Sequence, residues 1–211
     1  VKSWLNPPKH DAGPPLEPGE RRAIKIEIAI VLLLTFGFNG ASSILSLIED
    51  ALLAGSLSDQ TVAINTSSSS LGIIDLLYQV LRILRLCAFG ALGLYLLWRS
   101  GLGPRLVGLA RPRARTDLLQ GVGLAALIGL PGLALYLVGN ALGFNLTVVP
   151  SAIDENWWRI PTLVAYAFAN SAAEEILVVA YLISRLRRLG VGENSSLVAS
   201  ALLRGSYHLY Q

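Results

Sequence analysis

Two adjacent acidic residues, Glu174 and Glu175, lie in an otherwise apolar stretch and are the clearest candidates for chemistry in this sequence. Adjacent helix residues point about 100° apart, so one carboxylate can face an internal cavity while the other faces a neighbouring helix. Where water is scarce, two neighbouring carboxylates titrate as a coupled pair, and we expect one proton to be retained near neutral pH. One carboxylate could then take a proton from water while the other donates one, as general acid/base hydrolysis requires.

His208 is a second titratable group that could reach the same site. Ser196, Ser200, Arg204 and His208 recur every four residues, which predicts a polar stripe along one helix. The glutamates lie about ten residues before the basic turn at Arg185, and His208 lies about twelve residues after the start of its helix. Both sites are therefore roughly 15–18 Å along their helices from the same, basic end. We therefore expect the glutamates and the histidine to meet.

A structural alternative needs no reaction. Asp75, Gln79, Arg82 and Arg85 follow helical spacing on an earlier helix, and the two arginines could simply neutralise the glutamate pair. A single membrane histidine can likewise be a packing residue. Ionised side chains nevertheless cost roughly 2.5–3.5 kcal/mol each near the centre of a bilayer, so they need partners, water or a function.

The elements that must position these residues are predicted to be membrane-spanning helices. The chain has 211 residues, of which 53% are hydrophobic and 15% charged, where a soluble domain has about 25% charged residues. Apolar runs predict an all-α polytopic bundle of about five transmembrane helices. They cover residues 23–48, 71–98, 118–142 with Pro131 as an expected kink, and 160–183, and the fifth begins near Ser196.

Charge placement predicts the orientation of the bundle. Most of the 17 lysines and arginines lie in the N-terminal tail, in the second-to-third connection or in the fourth-to-fifth connection. Because basic loops stay in the cytoplasm, we expect a multi-pass plasma-membrane protein with a cytoplasmic N-terminus. The net charge of +3 does not indicate a nucleic-acid partner. The single cysteine excludes an internal disulfide and the Cys spacing of a zinc site.

The last part of the chain resembles the CPBP family, the CAAX-prenyl-endopeptidase and bacteriocin-processing (Abi) intramembrane proteases. The resemblance rests on residues 170–182 and 201–211. Glu174 and Glu175 match the paired glutamates of the first family motif, and His208 matches the histidine of the second. Val179 stands where the first motif has arginine, and Arg204 stands where the second has phenylalanine.

The resemblance implies a hydrolase that performs proteolysis with a glutamate-activated water. Glu174 would be the general base, Glu175 an orienting or proton-donating partner, and His208 a ligand of the water or the oxyanion. Arg204 would support the site by pairing with Glu175 in place of the missing motif arginine, and Asn170 is a second supporting residue. A divalent metal such as Zn²⁺ is not required by this mechanism, and the sequence leaves open whether the enzyme is a metalloendopeptidase.

The resemblance also suggests a division of the chain. Residues 1–21 are expected to be a disordered cytoplasmic tail, residues 22–142 the first three helices, and residues 143–211 the start of a catalytic core. The third family motif is absent, so we expect a C-terminally truncated chain that is inactive alone. Its high ratio of arginine to lysine and its abundant Ala, Leu and Gly suggest an actinobacterial origin.

Two other functions remain open at this point. A non-catalytic relative, either a membrane scaffold or a bacteriocin self-immunity protein, could keep the helices and the glutamate pair. A transporter with a proton relay would also explain intramembrane carboxylates, although the sequence has neither a repeated half nor a matched pair of broken helices. For the enzyme, the expected partners are membrane lipid and a membrane-associated peptide or protein substrate.

Overall fold

The structure, a computed structural model, is a bundle of helices, as the sequence predicts. It describes residues 15–52, 61–63, 65–103, 113–144, 147–149, 151–153 and 155–207. The α-helices are α1 (Pro18–Leu32), α2 (Phe38–Leu52), α3 (Gly72–Arg99), α4 (Ala114–Ala141), α5 (Arg159–Glu174), α6 (Leu182–Arg188) and α7 (Glu193–Tyr207). The wider π-helical segments Leu33–Gly37 and Glu175–Tyr181 join α1 to α2 and α5 to α6 without a break.

Four helices are long and apolar enough to cross a membrane, and they agree with the first four predicted spans. They cover Pro18–Ser46, Gly72–Arg99, Ala114–Ala141 and Arg159–Arg188. The fifth predicted helix is present as α7, whose described part is 15 residues long. The chain is therefore an all-α membrane protein. α4 continues through Pro131, and none of its residues is buried by the rest of the chain, as suits a helix surrounded by lipid.

Helix α1 begins inside the segment that the sequence assigned to the tail. Pro18 occupies the first turn, where its missing N–H is no loss, and Glu17 and Glu20 form a reciprocal capping box. These local signals start the helix at Pro18, ahead of the apolar run. Residues 1–14 of the predicted tail lie outside the described residues.

Helices α3 and α5 run in the same direction and in close contact. Gly72 at the start of α3 lies beside Asn156 just before α5, and further along Gly90 lies beside Ala173. A Cβ added at Gly93 would lie 2.8 Å from Ile176 Cγ2 and 2.9 Å from Leu177 Cδ2. The absence of a side chain at Gly93 is therefore what lets the two backbones approach.

A short parallel strand pair leads into these two helices. β1 (Thr61–Ala63) precedes α3, β2 (Thr147–Val149) precedes α5, and they pair in register. The apolar runs of the sequence predict no strand in either connection. Pairing satisfies backbone groups of the two connections, which enter the bundle side by side. The N–H of Val148 in β2 donates a hydrogen bond to the hydroxyl of Tyr136 in α4 at 3.0 Å.

An ion pair joins the first span to the end of the fourth span. Arg185 lies 2.9 Å from the carboxylate of Glu27, which also accepts a hydrogen bond from the Tyr181 hydroxyl at 2.9 Å. The same guanidinium donates to the carbonyl of Leu96 at 3.2 Å and lies over the Tyr181 ring, 5.6 Å from its centroid. Because these residues come from α1, α3, α6 and the second π segment, the cluster ties four elements together.

We expect Gly93→Leu to destabilise the bundle by roughly 1–3 kcal/mol because the new side chain must occupy space already filled by Ile176 and Leu177. Gly123→Leu is the matched control, since nothing lies within 4 Å of a Cβ at Gly123. Thermal unfolding in lipid nanodiscs measures the difference. Equal melting temperatures for the two variants would show that the α3–α5 contact does not require glycine.

We expect Glu27→Leu to lower stability by about 3–5 kcal/mol because it leaves the Arg185 charge buried without its carboxylate. Replacing both partners, Glu27→Leu with Arg185→Leu, should recover most of the loss because no uncompensated charge remains. Unfolding of the two single variants and the double variant in nanodiscs gives the coupling energy. Additive effects would contradict a buried ion pair.

Candidate active site

Glu174 is the last residue of α5, and its carboxylate is held inside the bundle. The residue is 8% exposed. The side-chain amide of Asn170, one turn earlier, donates a hydrogen bond to Glu174 Oε1 at 2.8 Å. Arg204 Nε of α7 lies 3.6 Å from Glu174 Oε2. The two carboxylate oxygens thus face different partners, which fixes the plane of the carboxylate.

Glu175 is the first residue of the second π segment and points to the edge of the bundle. Its side chain is 60% exposed, yet Oε1 lies 2.8 Å from Arg204 Nη2. The expected ion pair between Arg204 and Glu175 is therefore present. The same guanidinium also reaches Glu174, so one cation bridges two adjacent carboxylates. Glu174 thus lies inside the bundle, and Glu175 contacts the neighbouring helix α7 as expected, although most of its side chain is exposed.

The second π segment carries the polypeptide from the site to the Glu27 cluster. π-helical turns are rare and occur frequently at functional sites. Leu177, Val178 and Tyr181 within it are fully buried. The carbonyl of Val178 accepts a hydrogen bond from Ser200 Oγ of α7 at 2.7 Å. Since this contact lies one turn before Arg204 on α7, it fixes the height at which Arg204 meets the glutamates.

The polar stripe predicted on α7 faces protein over its described part. Ser196 and Ser200 are buried, and Arg204 contacts the glutamates. His208 lies outside the described residues, so its meeting with the glutamates stays a prediction, as do the catalytic roles of Glu174 and Glu175. Among the residues that the structure describes, no group of three His, Cys, Asp or Glu side chains is arranged to hold a metal ion.

The alternative in which Arg82 and Arg85 neutralise the glutamates is wrong. Arg82 donates to the carbonyl of Thr66 at 3.3 Å, and Arg85 is exposed. The reason is their depth: Gly90 packs at the level of Ala173, so Arg82 lies two turns, about 12 Å, nearer the start of α3. The sequence does not reveal this level because it depends on how α3 and α5 align.

Asp75 and Gln79 lie on the same face of α3 as Arg82 and bind the same segment before this helix. Asp75, 2% exposed, accepts hydrogen bonds from the Ser68 N–H at 2.6 Å and the Gln79 side-chain amide at 3.4 Å. Gln79 also donates to the carbonyl of Thr66 at 3.2 Å. This polar face therefore fastens the connection between β1 and α3.

Two contributions to this region were missed from the sequence. Glu27, near the basic start of the first apolar run, was assigned no role, although its partner Arg185 lies near the basic end of another span. Tyr207, adjacent to the predicted histidine, is buried and stacks on Phe36 of the first π segment. An aromatic residue three positions after Arg204 was the available signal for it.

Comparison with known families supports the resemblance drawn from the motifs. Residues 156–211 match the family described as type II CAAX prenyl endopeptidase Rce1-like. The match includes α5, the second π segment, α6 and α7, and therefore both glutamates and Arg204. It confirms the resemblance to the CPBP proteases. No curated protein and no solved structure matches the chain.

We expect Ser200→Ala to lower stability by about 1–2 kcal/mol because it leaves the buried Val178 carbonyl without the hydroxyl that donates to it. Ser195→Ala, at an exposed position of the same helix, is the control for any change in helix propensity. Thermal unfolding in nanodiscs compares them. A loss of stability in both variants, or in neither, would argue against this hydrogen bond as a support of the π segment.

Proposed function

We propose that this chain forms part of an intramembrane endopeptidase that cleaves a membrane-associated or prenylated peptide with a glutamate-activated water. The observation that carries the proposal is the Glu174 carboxylate, buried among membrane-spanning helices and held in one orientation by Asn170 and Arg204. A fixed carboxylate in a poorly hydrated site is suited to act as a general base. The match to the prenyl endopeptidase family supports a protease of this class.

In the proposed reaction, Glu174 takes a proton from a water molecule whose oxygen attacks the carbonyl carbon of the scissile peptide bond. The new C–O bond produces a tetrahedral intermediate with a negative oxygen. When the C–N bond breaks, the proton passes from the Glu174 carboxyl to the leaving nitrogen, which gives an amine and a carboxylic acid. The base is thereby regenerated without any other reactant.

The remaining site residues orient this base and compensate its negative charge. Arg204 balances negative charge on both glutamates and connects them, so Glu175 acts on the site through the guanidinium. We assign His208 as a ligand of the water or of the oxyanion, where a hydrogen-bond donor stabilises the charge that develops in the transition state. No step is routed through a metal.

We propose a plasma-membrane location with the N-terminus in the cytoplasm. One contact supports the expectation that the basic segments lie on the same side of the membrane. Arg21 at the start of α1 donates a hydrogen bond to the carbonyl of Leu189, just after α6, at 2.9 Å. The start of the first span and the end of the fourth therefore lie together. Both segments are rich in arginine, as the cytoplasmic ends of spans typically are.

A non-catalytic scaffold or self-immunity protein is the second candidate. It is favoured by Val179, which replaces the arginine of the first family motif, and by the engagement of both glutamates with Arg204. In such a protein the ion pairs would only hold α5 to α7. The two candidates differ in what removal of the Glu174 charge does to peptide cleavage.

We expect Glu174→Gln to lower turnover at least 100-fold because an amide cannot accept the proton of the attacking water, and general bases contribute about 10²–10⁴-fold. The assay uses the full-length protein in nanodiscs with a fluorogenic peptide that ends in a farnesylated cysteine and three further residues. Glu155→Gln is the matched control, since that carboxylate is 96% exposed and lies just before α5.

Cleavage by the wild type and by Glu155→Gln, with loss in Glu174→Gln, supports the endopeptidase. Cleavage that survives in Glu174→Gln would exclude this glutamate as the base. A folded wild-type protein that cleaves no peptide would favour the scaffold.

A further inference from the structure

We infer that a polar stripe on α2 lines a water-filled cleft, which leads from the end of the bundle opposite the basic segments to the Glu175–Arg204 ion pair. The inference deepens the proposed function and rests on it for its catalytic consequence, because each cleaved peptide bond consumes one water molecule. The stripe consists of polar residues that recur at helical spacing on α2, namely Asn39, Ser42, Ser43, Ser46 and Glu49.

α2 has a polar and an apolar side, although it forms the second part of a membrane span. The stripe covers an arc of about 120°, and the apolar residues Ala41, Ile44 and Ile48 lie on the opposite side of the helix. Four of the five stripe residues lie within the candidate span Pro18–Ser46. Three of the five are exposed and two are half-buried. A polar group in hydrocarbon without a hydrogen bond costs free energy, so the stripe requires water or a polar partner.

The inner end of the stripe lies at the level of the glutamates. Glu27 and Arg185 are 2.9 Å apart and therefore mark one level that the first and fourth spans share. From this level Asn39 lies twelve residues along the first span, about 18 Å away from the basic end. Glu175 lies ten residues along the fourth span, about 15 Å in the same direction. The stripe begins at this depth and continues toward the other end of the bundle.

Helix α7 connects the inner end of the stripe to the ion pair. A Cβ added at Gly40 would lie 3.8 Å from the Cβ of Tyr207, which follows Arg204 by three residues. Arg204 in turn lies 2.8 Å from Glu175. Because Gly40 and Asn39 face directions about 100° apart, the described part of α7 packs beside the stripe and not over it.

The interior between the ion pair and the basic end is closed to water by apolar packing. Val31, Leu97, Leu177 and Tyr181 belong to one cluster, and each is at most 5% exposed. The polar residues of α7 on this side of the site, Ser196 and Ser200, are buried and donate to backbone carbonyls.

The ion pair itself is nevertheless open. The side chain of Glu175 is 60% exposed and that of Arg204 is 37% exposed. Charged groups at this depth in a membrane need water or a polar partner. Water that reaches them therefore arrives from the end opposite the basic segments, where the stripe on α2 offers a polar wall.

Cysteine reactivity tests the cleft without any substrate. Cys87 is the single cysteine of the chain, so Cys87→Ser provides a background for single-cysteine variants of the full-length protein. We expect Asn39→Cys to react with a charged, membrane-impermeant methanethiosulfonate at least about 10-fold faster than Ile44→Cys, because the reactive thiolate forms in water and not in lipid. Ile44 is a stringent control, since it lies nearer the end of the span but on the apolar side.

The side of entry is measured in sealed vesicles with the reagent on one side only. Glu155→Cys marks the end opposite the basic segments, and Arg22→Cys marks the basic end. We expect Asn39→Cys to react from the same side as Glu155→Cys. Reaction as slow as that of Ile44→Cys would show that protein or lipid covers the stripe, and reaction from the side of Arg22→Cys would reverse the route. Either result overturns the inference.

The catalytic consequence is tested with the farnesylated peptide in nanodiscs. Ser46→Leu narrows the cleft, and Ala41→Leu adds a leucine to the apolar side as the control. We expect kcat to fall about threefold or more in Ser46→Leu and to stay unchanged in Ala41→Leu, because fewer water molecules reach the base. An unchanged kcat in Ser46→Leu would overturn the role of the cleft in turnover.

The outcomes separate the two proposals. Fast reaction of Asn39→Cys in a protein that cleaves no peptide would support the cleft and overturn the proposed function. Loss of cleavage in Glu174→Gln together with an unreactive Asn39→Cys would support the endopeptidase and overturn the cleft alone.

Discussion

A charge inside a lipid-embedded helix must have a partner, and the position of that partner determines how the helices of this protein fit together. Arg204 is the central case, because one guanidinium of α7 reaches two adjacent carboxylates on the neighbouring span. When both glutamates are ionised they carry two negative charges against one positive charge. A further hydrogen-bond donor, the side-chain amide of Asn170, reduces the cost of the remaining negative charge.

The arrangement of backbone explains why the two glutamates reach the same cation. α5 changes to a π-helical turn at Glu175, directly opposite Gly90 and Gly93 of α3, where the backbones come closest. The Val178 carbonyl within this segment accepts a hydrogen bond from the Ser200 hydroxyl of α7. The π segment is therefore clamped by α3 on one side and by α7 on the other. The direction of the glutamate side chains follows from this clamp.

The helices and the glutamate pair could be predicted from the sequence because apolar length and helical periodicity are local properties. The ion pair of Arg204 with Glu175 was expected from the family resemblance, in which Arg204 takes the place of the missing motif arginine. Features that depend on distant alignment could not be predicted. The strand pair, the Glu27–Arg185 contact and the π segments belong to this group. The assignment of Arg82 as a counter-ion failed because Arg82 lies two turns nearer the start of α3 than the level of the glutamates.

The part of the chain that matches the protease family does not hold its site together alone. Residues 156–211 supply the glutamates, Arg204 and Tyr207. The Tyr207 ring, however, rests on Phe36 of the first span, and the far end of the π segment is fixed through Glu27 of α1. The first helices, which carry no family motif, therefore act as the support that orients the motif residues.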